Sequence, residues 1–169
     1  MPIRNANNRK GESVNLFAEV MPFLSAAGLA LFVGALLTEA MVLVPMWRTL
    51  QPHEFFTLHA AHAHRLYTFF APLTVSATLL AVVAAITSVA TDRPLSSASV
   101  VAAVLALVIL STYVLYFQRA NASFAEASIT HEALPAELAR WASWHWFRTT
   151  VGLVALASAL LALRGTLSK

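Results

Sequence analysis

The amino-acid sequence predicts an all-α fold, a four-helix transmembrane bundle made of two helical hairpins in parallel repeat. Three observations carry this prediction. The chain has 169 residues, 59% hydrophobic and only 11% charged, with a mean hydropathy of +0.69, whereas a soluble domain carries about 25% charged residues. Four apolar runs, roughly 22–44, 66–90, 98–118 and 147–163, each come close to the ~20 residues that cross a bilayer as a helix. Finally, Pro52, Glu54, His62 and Arg65 recur at the same spacing as Pro135, Glu137, His145 and Arg148.

Composition narrows the function classes. Cysteine is absent, which removes disulfides, thiolate metal sites and cysteine nucleophiles. The net charge is +3 and the pI about 9.8, but the basic residues are scattered. They read as membrane-flanking charge, not as a nucleic-acid surface. Residues 1–20 form a polar tail and 21–169 a single membrane domain. The tail lacks signal-peptide character, and the run after it is long enough to stay in the bilayer. With four spans, both termini and the 91–97 loop share a side holding Arg4, Arg9, Lys10, Arg93, Arg164 and Lys169. The other side holds Arg48, Arg65, Arg119, Arg140 and Arg148. Discounting Arg65 and Arg148 as site residues leaves an excess on the terminal side. The expected location is therefore a bacterial inner membrane with both termini cytoplasmic.

The first span carries Ala26, Ala30, Gly34 and Thr38 at four-residue spacing. Such a stripe lets another helix approach closely, within the bundle or in a homo-oligomer. Glu39 follows inside the apolar run, where a carboxylate costs roughly 2.5 kcal/mol or more at mid-bilayer. It must be paired, protonated or near the interface. Pro45-Met46-Trp47 marks the exit, with tryptophan at headgroup level. The second helix should start at Pro52, since proline suits a first turn, and run to about Ala90. Its first turns, with Phe55, Phe56, His59 and His62, stand at the membrane surface, and Asp92-Arg93-Pro94 turns the chain. The third span runs from about Ser97 to Gln118 with Tyr113 and Tyr116, and helical phase continues through Arg119, Asn121 and Glu126. After a turn at 128–134, the fourth helix spans Pro135 to about Leu163. Trp141, Trp144 and Trp146 lie where it meets the membrane, and Gly152, Ala155 and Ala159 give it a small-residue face.

All six histidines fall on the side away from the termini. Histidine and arginine three apart share a helix face, so the pairs His62/Arg65 and His145/Arg148 are expected to converge. Counting back from a turn near 49 puts Glu39 level with His59 and within a turn of His62. Counting from a turn near 131 puts His145 close to Arg119 and Asn121. One layer should thus hold Glu39, His59, His62, Arg65, Asn121, His145 and Arg148. Three chemistries suit it. The first is a transition-metal site on His62, His145 and Glu39, with His59, fit for iron, zinc, manganese or copper. The second is haem between His62 and His145, with Arg65 and Arg148 on the propionates. The third is a cofactor-free pocket in which histidine is the base and arginine stabilises an enolate or phenolate. Against these stands an interfacial reading, with Glu39 paired to Arg65 and the tryptophans as a belt. His53, His64 and His131 belong to that reading, His64 lying about 200° around the helix from His62. Trp141, one turn from His145, could wall a pocket.

Trp141-x-x-Trp144-His145-x-x-Arg148-Thr149, followed by an apolar span, resembles the C-terminal signature of the anthrone-oxygenase-like family of small four-helix membrane proteins. Asn121 after the third span and the Gly34…Pro45 exit are similar to it in style. The resemblance implies oxidation of an anthrone-type polycyclic phenol to a quinone by molecular oxygen, with Asn121, Trp141, His145 and Arg148 at the matching positions. It does not cover Glu39, His59 or His62. Two function classes follow. One is an oxygenase or oxidoreductase taking a small apolar aromatic or quinone-like ligand from the lipid bilayer. There His145 is base or ligand, Arg148 and Arg65 are anion stabilisers, and His62 and Glu39 are bases or ligands. The other is a non-enzymatic metal- or haem-binding or structural membrane protein, its polar layer joining the helices.

Overall fold

The computed structural model describes residues 6–167, with side chains from Asn15 to Gly165. Arg4, Arg9, Lys10 and Lys169, on which the orientation count leans, lie outside the residues or side chains described. Four helices follow one another, each long and apolar enough to cross a membrane. Helix α1 runs Ala6–Thr38, passes through a π-helical turn at Glu39–Leu43 and ends with Val44–Trp47. Helix α2 is Pro52–Ala90. Helix α3 runs Ser96–Thr112, has its own π-turn at Tyr113–Phe117 and continues as Gln118–Ala125. Helix α4 is Leu134–Leu167. Most of the expected polar tail is thus helical and continuous with the first span.

Local chemistry sets the ends. Pro52 occupies the first turn of α2, and Glu54 accepts the Gln51 backbone N–H at 2.9 Å in a capping box. The α2–α3 turn uses left-handed backbone at Asp92 and Leu95, φ 48° and 60°. Gly165 of α4 lies against it, so close that a Cβ there would sit 2.6 Å from the Pro94 carbonyl oxygen. Arg93 of the same turn is buried and pairs with Glu19 of α1 at 3.5 Å.

The helices form an antiparallel ring: α1 and α3 each pack against α2 and α4. Toward the α2–α3 turn the core is built on small residues, Ala77, Ala81 and Ala85 of α2, Ala102 and Ala106 of α3, and Ala155 and Ala159 of α4, around Leu29, Phe32 and Leu36. Lipid gives helices no hydrophobic reason to associate, so close packing of small residues must hold them. Gly152 fits that role, facing Val33 and Ile109. The α1 stripe behaves otherwise: Ala26 is buried, but Ala30, Gly34 and Thr38 turn outward. Four-residue steps drift by about 40° each at 3.6 residues per turn, so the stripe winds off the packed face. Gly28, against Ala77, makes the close contact instead. The other end of the bundle is aromatic, with Trp47, Phe55, Phe117, Phe124 and Trp141 buried together.

Candidate functional site

Helix α4 points Leu138, Trp141, Ala142, His145, Thr149 and Gly152 inward, a spacing of three and four that keeps one face. His145 is fully buried, and its Nε2 lies 2.9 Å from the Leu36 carbonyl oxygen of α1. A carbonyl can only accept, so Nε2 carries the hydrogen. Nδ1 then accepts from the Arg148 guanidinium, 3.0 Å from Nε and 2.7 Å from Nη2. Both ring nitrogens are engaged and the imidazole is held neutral. Arg148 Nη2 also donates to Glu39 Oε2 at 2.8 Å. The 3.5 Å approach of His145 Nδ1 to that oxygen is no ion pair, because both atoms are acceptors converging on one N–H₂ group. Glu39 is thus paired, as its burial demanded, and its partner is Arg148 of α4, not Arg65.

A second tier holds this cluster. The Trp141 ring stacks on His145 at 5.0 Å and 8°, and its Nε1–H donates to Asn121 Oδ1 at 2.9 Å. Trp47 packs edge-on against Trp141 at 5.5 Å. Phe117 lies under the Arg148 guanidinium. Glu39 opens the π-turn of α1 and Phe117 closes that of α3, so both widened turns flank Arg148. Such turns insert one residue and re-aim the side chains around them.

His62 and Arg65 do not join the cluster. Both are exposed, and among the described residues His62 Nδ1 bonds the Leu58 carbonyl of its own helix, at 2.8 Å. The face of α2 that enters the bundle is set by Phe55, His59, Ala63, Leu66 and Phe70. From His59, His62 is turned by about 60° and Arg65 by about 120°, enough to carry both outside. The matching spacing from Pro52 and Pro135 therefore does not fix direction around the helix axis. Glu54 and Glu137 diverge too: one caps its helix, while the other accepts from Tyr116 at 2.8 Å and pairs with Arg140 at 3.1 Å.

His59 is the α2 histidine that turns inward. It is buried among Trp47, Phe55 and Phe124, with ring centroids 5.5–6.1 Å away. Its Nδ1 has no hydrogen-bond partner among the described residues. His59 and Arg148 line one cavity of about 510 Å³, together with Glu39, Asn121, Trp47, Trp141 and apolar residues of α1, α2 and α3. That size lies within the ~300–1,000 Å³ of small-molecule sites. His64 and Gln118 also line it. Assigning His64 to the interface and Trp47 to the headgroup belt misses their place on this wall. His131 stacks on Phe56 at 6.0 Å.

The donor sets expected for a cofactor do not assemble. Among the described residues no group of three or more His, Asp or Glu is placed to hold a metal ion. His62 faces outward, His145 has no free lone pair, and Glu39 is bound to Arg148. The iron, copper or zinc set is therefore not formed, and a haem between His62 and His145 has no pair of facing ligands. Compared with models of known protein families, with curated proteins and with solved structures, the chain finds no match.

Proposed function

We propose that this chain is an integral membrane oxidoreductase that takes an apolar aromatic, quinone-like substrate from the bilayer, with both termini on the cytoplasmic side. The observation that carries the reading is the shared cavity: an unpaired imidazole, His59, and a guanidinium, Arg148, border one largely apolar space. Arg148 Nη1 has no hydrogen-bond partner among the described residues, so it can donate to a substrate oxygen. The resemblance of Trp141, His145, Arg148 and Asn121 to the anthrone-oxygenase signature supports the same chemistry.

In this reading His59 removes a proton from the activated ring carbon of an anthrone-type phenol. Arg148 holds the enolate oxygen that results, a stabilisation worth most where water is excluded. Molecular oxygen is the oxidant: a ring CH₂ becomes a carbonyl, one oxygen atom enters it and the other leaves as water. His145 and Asn121 act through others, His145 by aiming Arg148 and Asn121 by fixing Trp141. A purely structural polar layer accounts for Glu39, His145 and Arg148, but gives no reason for a buried, unpartnered His59. The test is oxygen uptake and quinone absorbance with purified protein and an anthrone-type phenol. Turnover above background that His59→Leu and Arg148→Met abolish supports the proposal. A background rate in the wild type, or full activity in His59→Leu, overturns it.

A further inference from the structure

The cavity is longer than a fused aromatic ring system needs. Its wall runs from His59 to Val75 on α2 and from Ile109 to Ala125 on α3, about 24 Å of helix in each case. The polar groups His59 and Asn121 lie toward one end, and Glu39 and Arg148, the latter over Phe117, lie about halfway along. The other end is bounded by Phe32, Phe70, Val75, Ile109 and Leu110. Two threonines there offer little polarity, since the hydroxyls of Thr74 and Thr112 donate to the carbonyls of Phe70 and Ile109 in their own helices, at 2.7 and 2.6 Å. A volume of about 510 Å³ drawn out over this length is a channel with a polar head and a mostly apolar tail, Tyr67 and Tyr113 lying on the wall between them. Tyr67 and Val75 on its wall are 55% and 44% exposed, so the channel borders the lipid between α2 and α3.

The charge at the head narrows the ligand further. Glu39 balances Arg148 and His145 is neutral, so the site carries no net charge. An added carboxylate or phosphate would be an uncompensated ion in an apolar enclosure. A carbonyl or phenol can take the Nη1 hydrogen bond without that cost.

We infer that the substrate is a neutral phenol or quinone bearing one long hydrocarbon tail, its ring between His59 and Arg148 and its tail laid along Phe70 toward Val75. This rests on the quinone-like reading above and adds the tail to it. Quenching of the tryptophan emission tests it, since Trp47 and Trp141 stand at the head of the channel. The probes are a benzoquinone with a decyl chain, the same ring with a methyl group, and decanoic acid, all in wild-type protein in detergent. Concentrations are expressed per detergent, which removes simple partitioning. The decyl quinone should bind about tenfold tighter than the methyl quinone, and decanoic acid should not displace it. Ala71→Phe and Val75→Phe, both on the α2 wall of the tail channel, should each cut that preference to about threefold or less while leaving the methyl quinone unchanged. Equal affinity of the two quinones, or equal competition by decanoic acid, refutes the tailed ligand and leaves the ring site standing. If neither quinone binds, both readings fall.

Discussion

The guanidinium of Arg148 lies 4.1 Å above the ring of Phe117. Its face is covered by that ring while its edge donates to Glu39 and His145. A desolvated cation over an aromatic face gains up to ~2 kcal/mol, and the carboxylate neutralises it. This arrangement lets a full charge reside inside an apolar bundle, and it separates two roles of Arg148, holding α1 to α4 and lining the cavity.

Those roles part in a mutant cycle. Arg148→Met leaves Glu39 buried without a counterion and should cost about 3–5 kcal/mol. Adding Glu39→Leu removes the stranded charge and should restore stability to within ~1 kcal/mol of wild type, because buried ion pairs are often replaceable by apolar residues. Ligand binding should stay lost. Reversible unfolding in detergent reads the first quantity, and a double variant no more stable than Arg148→Met would deny that the pair offsets the carboxylate.

His62→Ala and Arg65→Ala should each change stability by less than ~0.5 kcal/mol, as exposed substitutions do, and leave quinone affinity unaltered. His145→Ala removes the tie to Leu36 and the acceptor that aims Arg148, a loss of about 2–5 kcal/mol, and affinity should fall with it. Equal losses of binding in His62→Ala and His145→Ala would contradict the outward placement of His62.

Replacing His59 by leucine tests a trade between stability and activity. A buried unsatisfied nitrogen costs about 1–3 kcal/mol, so His59→Leu should be as stable as wild type or more so, yet inactive. A destabilised His59→Leu would mean that the imidazole has a structural partner.

Asn121→Leu leaves the Trp141 indole N–H buried without an acceptor. The expected cost is ~1–3 kcal/mol, with tryptophan emission moving to shorter wavelength as the indole loses its polar contact. An unchanged spectrum and melting point would show that Asn121 does not hold Trp141.

The lack of cysteine makes orientation directly measurable. With cytoplasmic termini, a single cysteine at Thr130 should react with an impermeant maleimide in whole cells, and one at Thr91 only after the membrane is opened. The reverse pattern would overturn the proposed orientation.

Much of this was legible in the sequence because helix rise is uniform. Counting across the hairpins puts Glu39 level with His59, and His145 near Arg119 and Asn121. In the structure Glu39 and His59 line one cavity, Asn121 bonds Trp141 one turn from His145, and Arg119 is exposed. Direction around the axis was harder. In α2 both the lipid side and the core side are apolar, so the contrast that orients a helix in water is missing, and His62 looked as central as His59. Of the small stripe on α1 only Ala26 packs inside the bundle, because four-residue steps drift around the axis. The widened turn in α1 had a signal: Pro45 cannot donate and its ring crowds the Met41 carbonyl, which a π-turn relieves. Nothing comparable marks Tyr113–Phe117.

The α1 π-turn also makes the pocket sensitive to chain length. Met41, on its outer side, is 64% exposed. Deleting that one residue would let α1 close into regular helix, since the turn holds one residue more than an α-helical turn needs, so Trp47 would keep its direction while Glu39 at the turn was re-aimed. All four spans would persist while the polar part of the wall at Glu39 changed. One-codon insertions and deletions, not only substitutions, are thus a route by which this scaffold can exchange one lipid-borne ligand for another.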